Sequence, residues 1–130
     1  MNATILVVDD HPTNLKLVSD VLRYEGHEIL TATDAEQAQD ILATVLPDLI
    51  LMDIALPGMD GLTLTRQLKA APRTHHLRIV ALTAFAMKGD DLKAGEAGCD
   101  GYITKPIDTR KLPAQVDTFL KNLPAGNPPA

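Results

Sequence analysis

A single cysteine, Cys99, leaves no disulfide framework and no C-x-x-C metal or redox motif. So little cysteine suits a reducing compartment. Tryptophan is absent, and two tyrosines and two phenylalanines make up the aromatic set. With 45% apolar residues, the core must therefore be aliphatic. Basic charge is not in excess: the formal net charge is −5, so the basic stripe of a nucleic-acid surface is missing. No apolar run approaches the roughly 18 residues of a membrane span. The start, Met1-Asn2-Ala3-Thr4, has no basic segment leading into an apolar one, so no signal peptide is expected. These absences point to a soluble cytoplasmic protein with neither nucleic-acid nor membrane partners. Its 130 residues fit one domain, large enough to hold a core without a disulfide or structural metal.

What the chain does have is an alternation of short apolar runs with segments of helical period. Ile5-Leu6-Val7-Val8 reads as a strand buried on both faces. Leu15, Val18, Val21 and Leu22 follow at helical spacing, with Gly26 as the stop. Glu28 to Ala32 is a second strand. Asp34 is a helix N-cap, ahead of a stripe through Ala38, Ile41, Leu42 and Val45. Leu49-Ile50-Leu51-Met52 forms the third run, and a loop through Pro57-Gly58 leads to an Asp60-capped helix carrying Leu64 and Leu68 before Pro72. Ile79-Val80-Ala81-Leu82 is the fourth run. Lys88 to Ala97 reads as a helix that Gly89 and Gly95 weaken. Tyr102-Ile103-Thr104 is a fifth strand, and Leu112, Val116, Phe119, Leu120 and Leu123 mark a last amphipathic helix.

Five strands interleaved with five helices predict a flavodoxin-like (βα)5 α/β fold, a doubly wound parallel sheet of order 2-1-3-4-5. The domain is expected over residues 1–123. Residues 124–130, Pro-rich and without apolar partners, are expected to be a disordered tail or linker.

The acids are placed with purpose. Asp9 and Asp10 end the first run and Asp53 ends the third. In such a sheet ligands bind beyond the carboxyl ends of the strands, where strand order reverses, here between strands one and three. Three carboxylates gathered there repel one another and call for a cation. Mg²⁺, a hard ion that takes oxygen ligands and retains waters, is the natural one. Helix capping accounts for one acid of the doublet, not for two facing a third. Thr83 and Lys105 close the fourth and fifth runs, placing a hydroxyl and an ammonium at the same edge. A phosphoryl group on Asp53 would need those partners against its charge.

Asp9-Asp10, Asp53 within Leu-Met-Asp-Ile-Ala-Leu-Pro-Gly-Met-Asp-Gly, Thr83-Ala84 and Lys105-Pro106 together resemble the receiver domain of two-component response regulators. The likeness runs over residues 4 to 122. Residues 83–90 and Gly98-Cys99 are most similar to DivK-like single-domain regulators and hybrid-kinase receivers. The resemblance implies Asp53 as phosphoacceptor, and Asp9, Asp10, Asp53 and the backbone carbonyl of Ala55 around Mg²⁺. It further implies Thr83 as the switch hydroxyl, Tyr102 as the aromatic that rotates with it, Lys105 as the phosphate-pairing cation, and a cis bond before Pro106. The donor would be a histidine kinase or histidine phosphotransfer protein. Output would go to a protein target through the fourth helix, fifth strand and last helix, with the chain a monomer or weak dimer. Ala55 and Phe85 stand where related regulators often carry polar groups, so slow autodephosphorylation is expected of a phosphoacceptor that is not a turnover enzyme.

Other readings fare worse. An Asp-nucleophile phosphohydrolase of the haloacid-dehalogenase type uses Asp-x-Asp, whereas these acids are adjacent. A flavodoxin-like cofactor carrier needs a phosphate-cradling loop, and His11-Pro12-Thr13-Asn14 has no glycine. Every acceptor-site residue is present, against a pseudo-receiver. Cys99 and Met52 read as core, Met59 and Met87 as bordering the site or a partner surface, and His75-His76 as no metal pair. His11 reads as near the site without a role.

Overall fold

The computed structural model describes residues 3–83 and 95–121. The apolar runs form β1 (Thr4–Val8), β2 (Glu28–Ala32), β3 (Leu49–Asp53), β4 (Arg78–Thr83) and β5 (Gly101–Thr104). All pair in parallel, in the order β2-β1-β3-β4-β5. The predicted flavodoxin-like topology is the observed one. Every residue of β3 is buried, as a central strand covered on both faces requires.

The period of two divides the core. Ile5, Val7, Leu49, Leu51, Val80 and Leu82 face one side, where Val18 and Leu22 of α1 (Pro12–Tyr24) and Leu112, Val116 and Leu120 of α4 (Leu112–Lys121) cover them. Leu6, Val8, Ile50, Met52 and Ile79 face the other side, beneath α2 (Ala35–Leu42) and α3 (Gly61–Ala70). Cys99 packs partly against this second cluster.

The helix ends follow the local chemistry. Asp34 and Asp60 each accept a backbone N–H, from Gln37 and Thr63 respectively, at 2.8 Å. Gly26, at φ +96°, closes α1: its amide bonds the Arg23 carbonyl at 2.9 Å, and that of His27 bonds Leu22 at 3.1 Å. The α2 stripe is shorter than its apolar pattern suggests. The helix ends at Leu42; the Thr44 amide tightens onto the Ile41 carbonyl three residues back (3.1 Å), which the Val45 amide shares through one last helical bond (2.9 Å). Arg73 donates to the freed carbonyls of Leu42 and Ala43, so a side chain from beyond α3 replaces another helical turn. Of the helix expected over Lys88 to Ala97, residues 95–97 are helical; Ala84 to Ala94, Leu123 and the tail lie outside the described residues.

At the amino edge of the sheet, side chains take over backbone pairing. The Ala3 amide donates to His27 Nδ1 (3.1 Å) and the Thr4 amide to Asp48 (2.9 Å). Asp100 accepts from the Ile79 amide (2.8 Å) and from Lys69 (3.1 Å).

Candidate functional site

The carboxyl edge is built differently. Parallel pairing in register places Val8 beside Met52 and Asp53 beside Leu82, so the chain leaves β1 and β3 side by side. Asp9 follows β1 and Asp53 ends β3; they are 1% and 2% exposed. Asp10 is partly exposed beside them. Their ligand atoms, with Nδ1 or Nε2 of His11, all lie within 4.8 Å of one another.

The loops orient these acids. Asp9 Oδ1 accepts the His11 amide at 2.9 Å, and Asp53 Oδ1 accepts the Ala55 amide at 2.9 Å. His11 itself is the N-cap residue of α1, yet its side chain makes no capping bond. The acid doublet is therefore not spent on capping α1. Gly61 presses on this loop from below: a Cβ there would stand 2.2 Å from the Asp53 carbonyl oxygen. Only glycine lets α3 start so close behind the acid.

Lys105, just after β5, reaches back across the crevice. Its Nζ lies 3.2 Å from Asp53 Oδ2 and 3.3 Å from Asp9 Oδ2. Its amide donates to the Thr83 carbonyl at 2.6 Å, which ties the end of β5 to that of β4. Burial pushes the Asp9 carboxyl above its ordinary pKa; the Asp53 charge adds to this, while the His11 amide and Lys105 pull the other way. Burial disfavours the Lys105 charge, but Asp53 and Asp9 outweigh it and hold the ammonium above its usual value.

The donor set suits a divalent ion. Asp9 Oδ2 and Asp10 Oδ1 are buried and accept no hydrogen bond, although Lys105 and His11 stand within ion-pair distance of them. Buried carboxylate oxygens seldom go without partners. Three carboxylates against one ammonium leave two negative charges, which one divalent cation balances.

Thr83 is buried at the end of β4, and Tyr102 is 44% exposed on β5. Their strands are paired, with Tyr102 opposite Ala81 and Thr83 opposite Thr104. The Lys105-Pro106 peptide is cis. Met52 is fully buried, and Met59 packs partly against the second core cluster. His75 and His76 are exposed, their rings edge to face at 6.0 Å, and neither belongs to the acidic group. Phe85 and Met87 lie outside the described residues. The residue undervalued in the sequence is His11: its Nδ1 is 3.3 Å from Asp10 Oδ1 and 3.4 Å from Asp9 Oδ1. Its place directly after the doublet was the available signal.

Fold and crevice define a flavodoxin-like α/β domain with an acidic, lysine-bridged site at the carboxyl edge of its sheet. The family described as response regulator receiver domain matches residues 5–117, and the chain belongs to it. It is thus a receiver domain of the two-component response regulators. The response regulator PleD of Caulobacter vibrioides is 44% identical over 121 residues, 93% of this chain. The chain spans only 27% of PleD's length. The polar-differentiation response regulator DivK of Brucella ovis is 37% identical over 120 residues, covering 92% of this chain and 98% of DivK. Among solved structures, the receiver domain of sensor histidine kinase PA1611 from Pseudomonas aeruginosa PAO1 is 31% identical, with a TM-score of 0.84. It covers 94% of this chain and 100% of that one, and is described with a magnesium ion coordinated in its active site cleft. No helix among the described residues is long and apolar enough to cross a membrane.

Proposed function

We propose that this receiver accepts a phosphoryl group on Asp53 from the phosphohistidine of a histidine kinase or histidine phosphotransfer protein. One observation carries the reading: Lys105 Nζ lies between Asp53 Oδ2 and Asp9 Oδ2, beside buried acid oxygens without hydrogen bonds. In the transfer, an Asp53 carboxylate oxygen bonds to phosphorus, the donor's N–P bond breaks, and the imidazole leaves with its electron pair. Asp9, Asp10, Asp53 and the Ala55 carbonyl would hold Mg²⁺, which supplies charge neutralisation to the loose phosphoryl transition state. Asp53 is oriented for this by the Ala55 amide on Oδ1, which leaves Oδ2 toward Lys105. Lys105, already charged and nearby, then pairs with the phosphoryl oxygens.

The Thr83 hydroxyl donates to the phosphoryl group, and Tyr102, half exposed on the neighbouring strand, follows it inward. That movement would bias a two-state face around β5 and α4 toward a protein target. The unit is residues 1–123, with residues 124–130 as a linker, working in the cytoplasm as a monomer or weak dimer. It is a phosphoacceptor, not a turnover enzyme.

Intact-protein mass after incubation with acetyl phosphate tests this. Wild type is expected to gain one phosphoryl group only with Mg²⁺, and Asp53→Asn none. No gain in wild type would leave a phosphate-independent binding module. Gain surviving in Asp53→Asn would move the acceptor elsewhere.

A further inference from the structure

The outer faces of α2 and α3 carry opposite charge side by side. Helical spacing puts Glu36, Gln39, Asp40 and the C-cap Ala43 along the exposed face of α2, and Arg66, Gln67 and Ala70 along that of α3. α2 has two acids and no base, whereas α3 has two bases and no acid. Residues 66–78 hold four of the twelve lysines and arginines and none of the acids. Three of those four cations are engaged at home: Lys69 with Asp100 and the Leu77 carbonyl, Arg78 with Asp100, and Arg73 with the carbonyls that end α2. Arg66, Glu36 and Asp40 are exposed and make no ion pair among the described residues.

Between the two charged stripes lies an apolar groove of about 310 Å³, with the buried Leu42 and Leu68 in its lining. Gln39 and Gln67 join across it, Gln39 Nε2 donating to Gln67 Oε1 at 3.1 Å. That bond leaves Gln39 Oε1 and the Gln67 side-chain N–H groups open to a further partner. Ala43 and Ala71 complete the lining with short side chains, so a second surface can approach closely.

We infer that this face pairs with a second copy of the chain, turned by half a rotation about an axis through the Gln39–Gln67 bond. Both helices return between parallel strands of one sheet, so they run in the same direction. The two-fold therefore sets α2 of one copy antiparallel to α3 of the other. Counted outward from the glutamines, Asp40 falls opposite Arg66 of the second copy, and Arg66 falls opposite its Asp40. Gln39 Oε1 meets the Gln67 amide of the other copy in the same way. A partner of a single charge sign gains at one helix and loses at the other, whereas a second copy gains at both. The face lies apart from the acidic crevice, and the pairing does not depend on the chemistry proposed for Asp53.

Helices of eight and ten residues are about 12 and 15 Å long. Such a face offers well under the roughly 800 Å² per partner of a standard interface, so the dimer is weak and forms with concentration. Sedimentation velocity on the full chain, up to about 1 mM protein in 0.1 M NaCl, is the test. At that salt the net charge of −5 on each copy is screened beyond about 10 Å, while charges in contact are not. Wild type should move toward dimer with concentration, and 0.5 M NaCl should weaken the pairing severalfold. Asp40→Arg and Arg66→Asp each set like charges together twice across the two-fold, and each should weaken self-association about tenfold or more. An equimolar mixture of the two variants restores opposite charges at both contacts, so it should associate at least as well as wild type.

Both residues are exposed, so each variant should melt within a few degrees of wild type and gain mass from acetyl phosphate as wild type does. The double variant Asp40→Arg/Arg66→Asp exchanges the two signs and should self-associate again. Wild type that stays monomeric at 1 mM would overturn the inference and leave the face to a different protein. A dimer that neither single substitution weakens would overturn it by moving the pairing to another face. A mixture of the two single variants that stays monomeric would overturn the two-fold arrangement itself.

Discussion

Gly61→Ala tests whether Asp53 is held in place from behind. The added Cβ would lie 2.2 Å from the Asp53 carbonyl oxygen and 2.9 Å from both the Asp53 carbonyl carbon and Ile54 Cα. Ordinary contact begins near 3.4 Å, so about 1 Å of movement is required. All three atoms are backbone, and that backbone is anchored: Asp53 is paired with Leu82, and the Ile54 amide donates to the Leu82 carbonyl at 3.2 Å. Overpacking costs about 1–3 kcal/mol, and an unyielding neighbour places this case near the top. Replacing glycine in a helix returns at most about 1 kcal/mol. A net loss of about 2–3 kcal/mol lowers Tm by roughly 10 °C in a domain of this size.

Two other glycines calibrate the result. At Gly58, φ is +73° and no atom lies within 4 Å of an added Cβ, so alanine there pays only for its left-handed backbone, about 1 kcal/mol. At Gly101 the Cβ meets the Phe119 ring at 2.3 Å, but that half-buried ring can swing aside. Thermal unfolding followed by circular dichroism should therefore rank Gly61→Ala as the most damaging. Its folded fraction should also accept phosphate from acetyl phosphate more slowly, because the Asp53 carbonyl is displaced. A Gly61→Ala protein melting with wild type or with Gly58→Ala would refute the reasoning.

Asp9→Asn should stabilise the metal-free protein. Asp9 has a folded pKa above its unfolded value, so its contribution is full below the unfolded pKa and lost as pH rises through the folded one. The advantage of Asp9→Asn in urea unfolding should therefore grow across that carboxylate range, and Mg²⁺ should cancel it by stabilising wild type alone. Ser19, 2% exposed with an Oγ that makes no hydrogen bond, predicts that Ser19→Ala is neutral or stabilising by up to about 1 kcal/mol in the same assay; a loss above about 1 kcal/mol would contradict it. The aspartyl phosphate should be long-lived, since Ala55 offers no side-chain group to orient a water; decay within seconds, followed by mass without a phosphatase, would count against this.

The strands were legible because both faces of a central parallel strand must be apolar. Ile5 to Val8 and Leu49 to Met52 announce themselves by composition alone. The crevice was legible from the same cause, since residues that end buried strands share one edge. Asp9, Asp53, Thr83 and Lys105 could therefore be assembled from order of appearance. The end of α2 was not, because Val45 continues the apolar period while Arg73, about thirty residues on in sequence, covers the carbonyls of Leu42 and Ala43. Nor was the part of His11, which depends on how one loop turns its ring toward two acids. Pairs such as Ala3 with His27 and Lys69 with Asp100 join residues distant in sequence and leave no local pattern.

Lys105 has a mechanical meaning beyond its charge. Among the described strands, β5 is the outermost on its side, with β4 as its sheet neighbour. Yet its trailing lysine grips acids following β1 and ending β3, over the top of the intervening strand. The edge of the sheet is thus tethered to its middle by one flexible arm. A change of charge at Asp53 would therefore act first on that arm and, through it, on the outer strand.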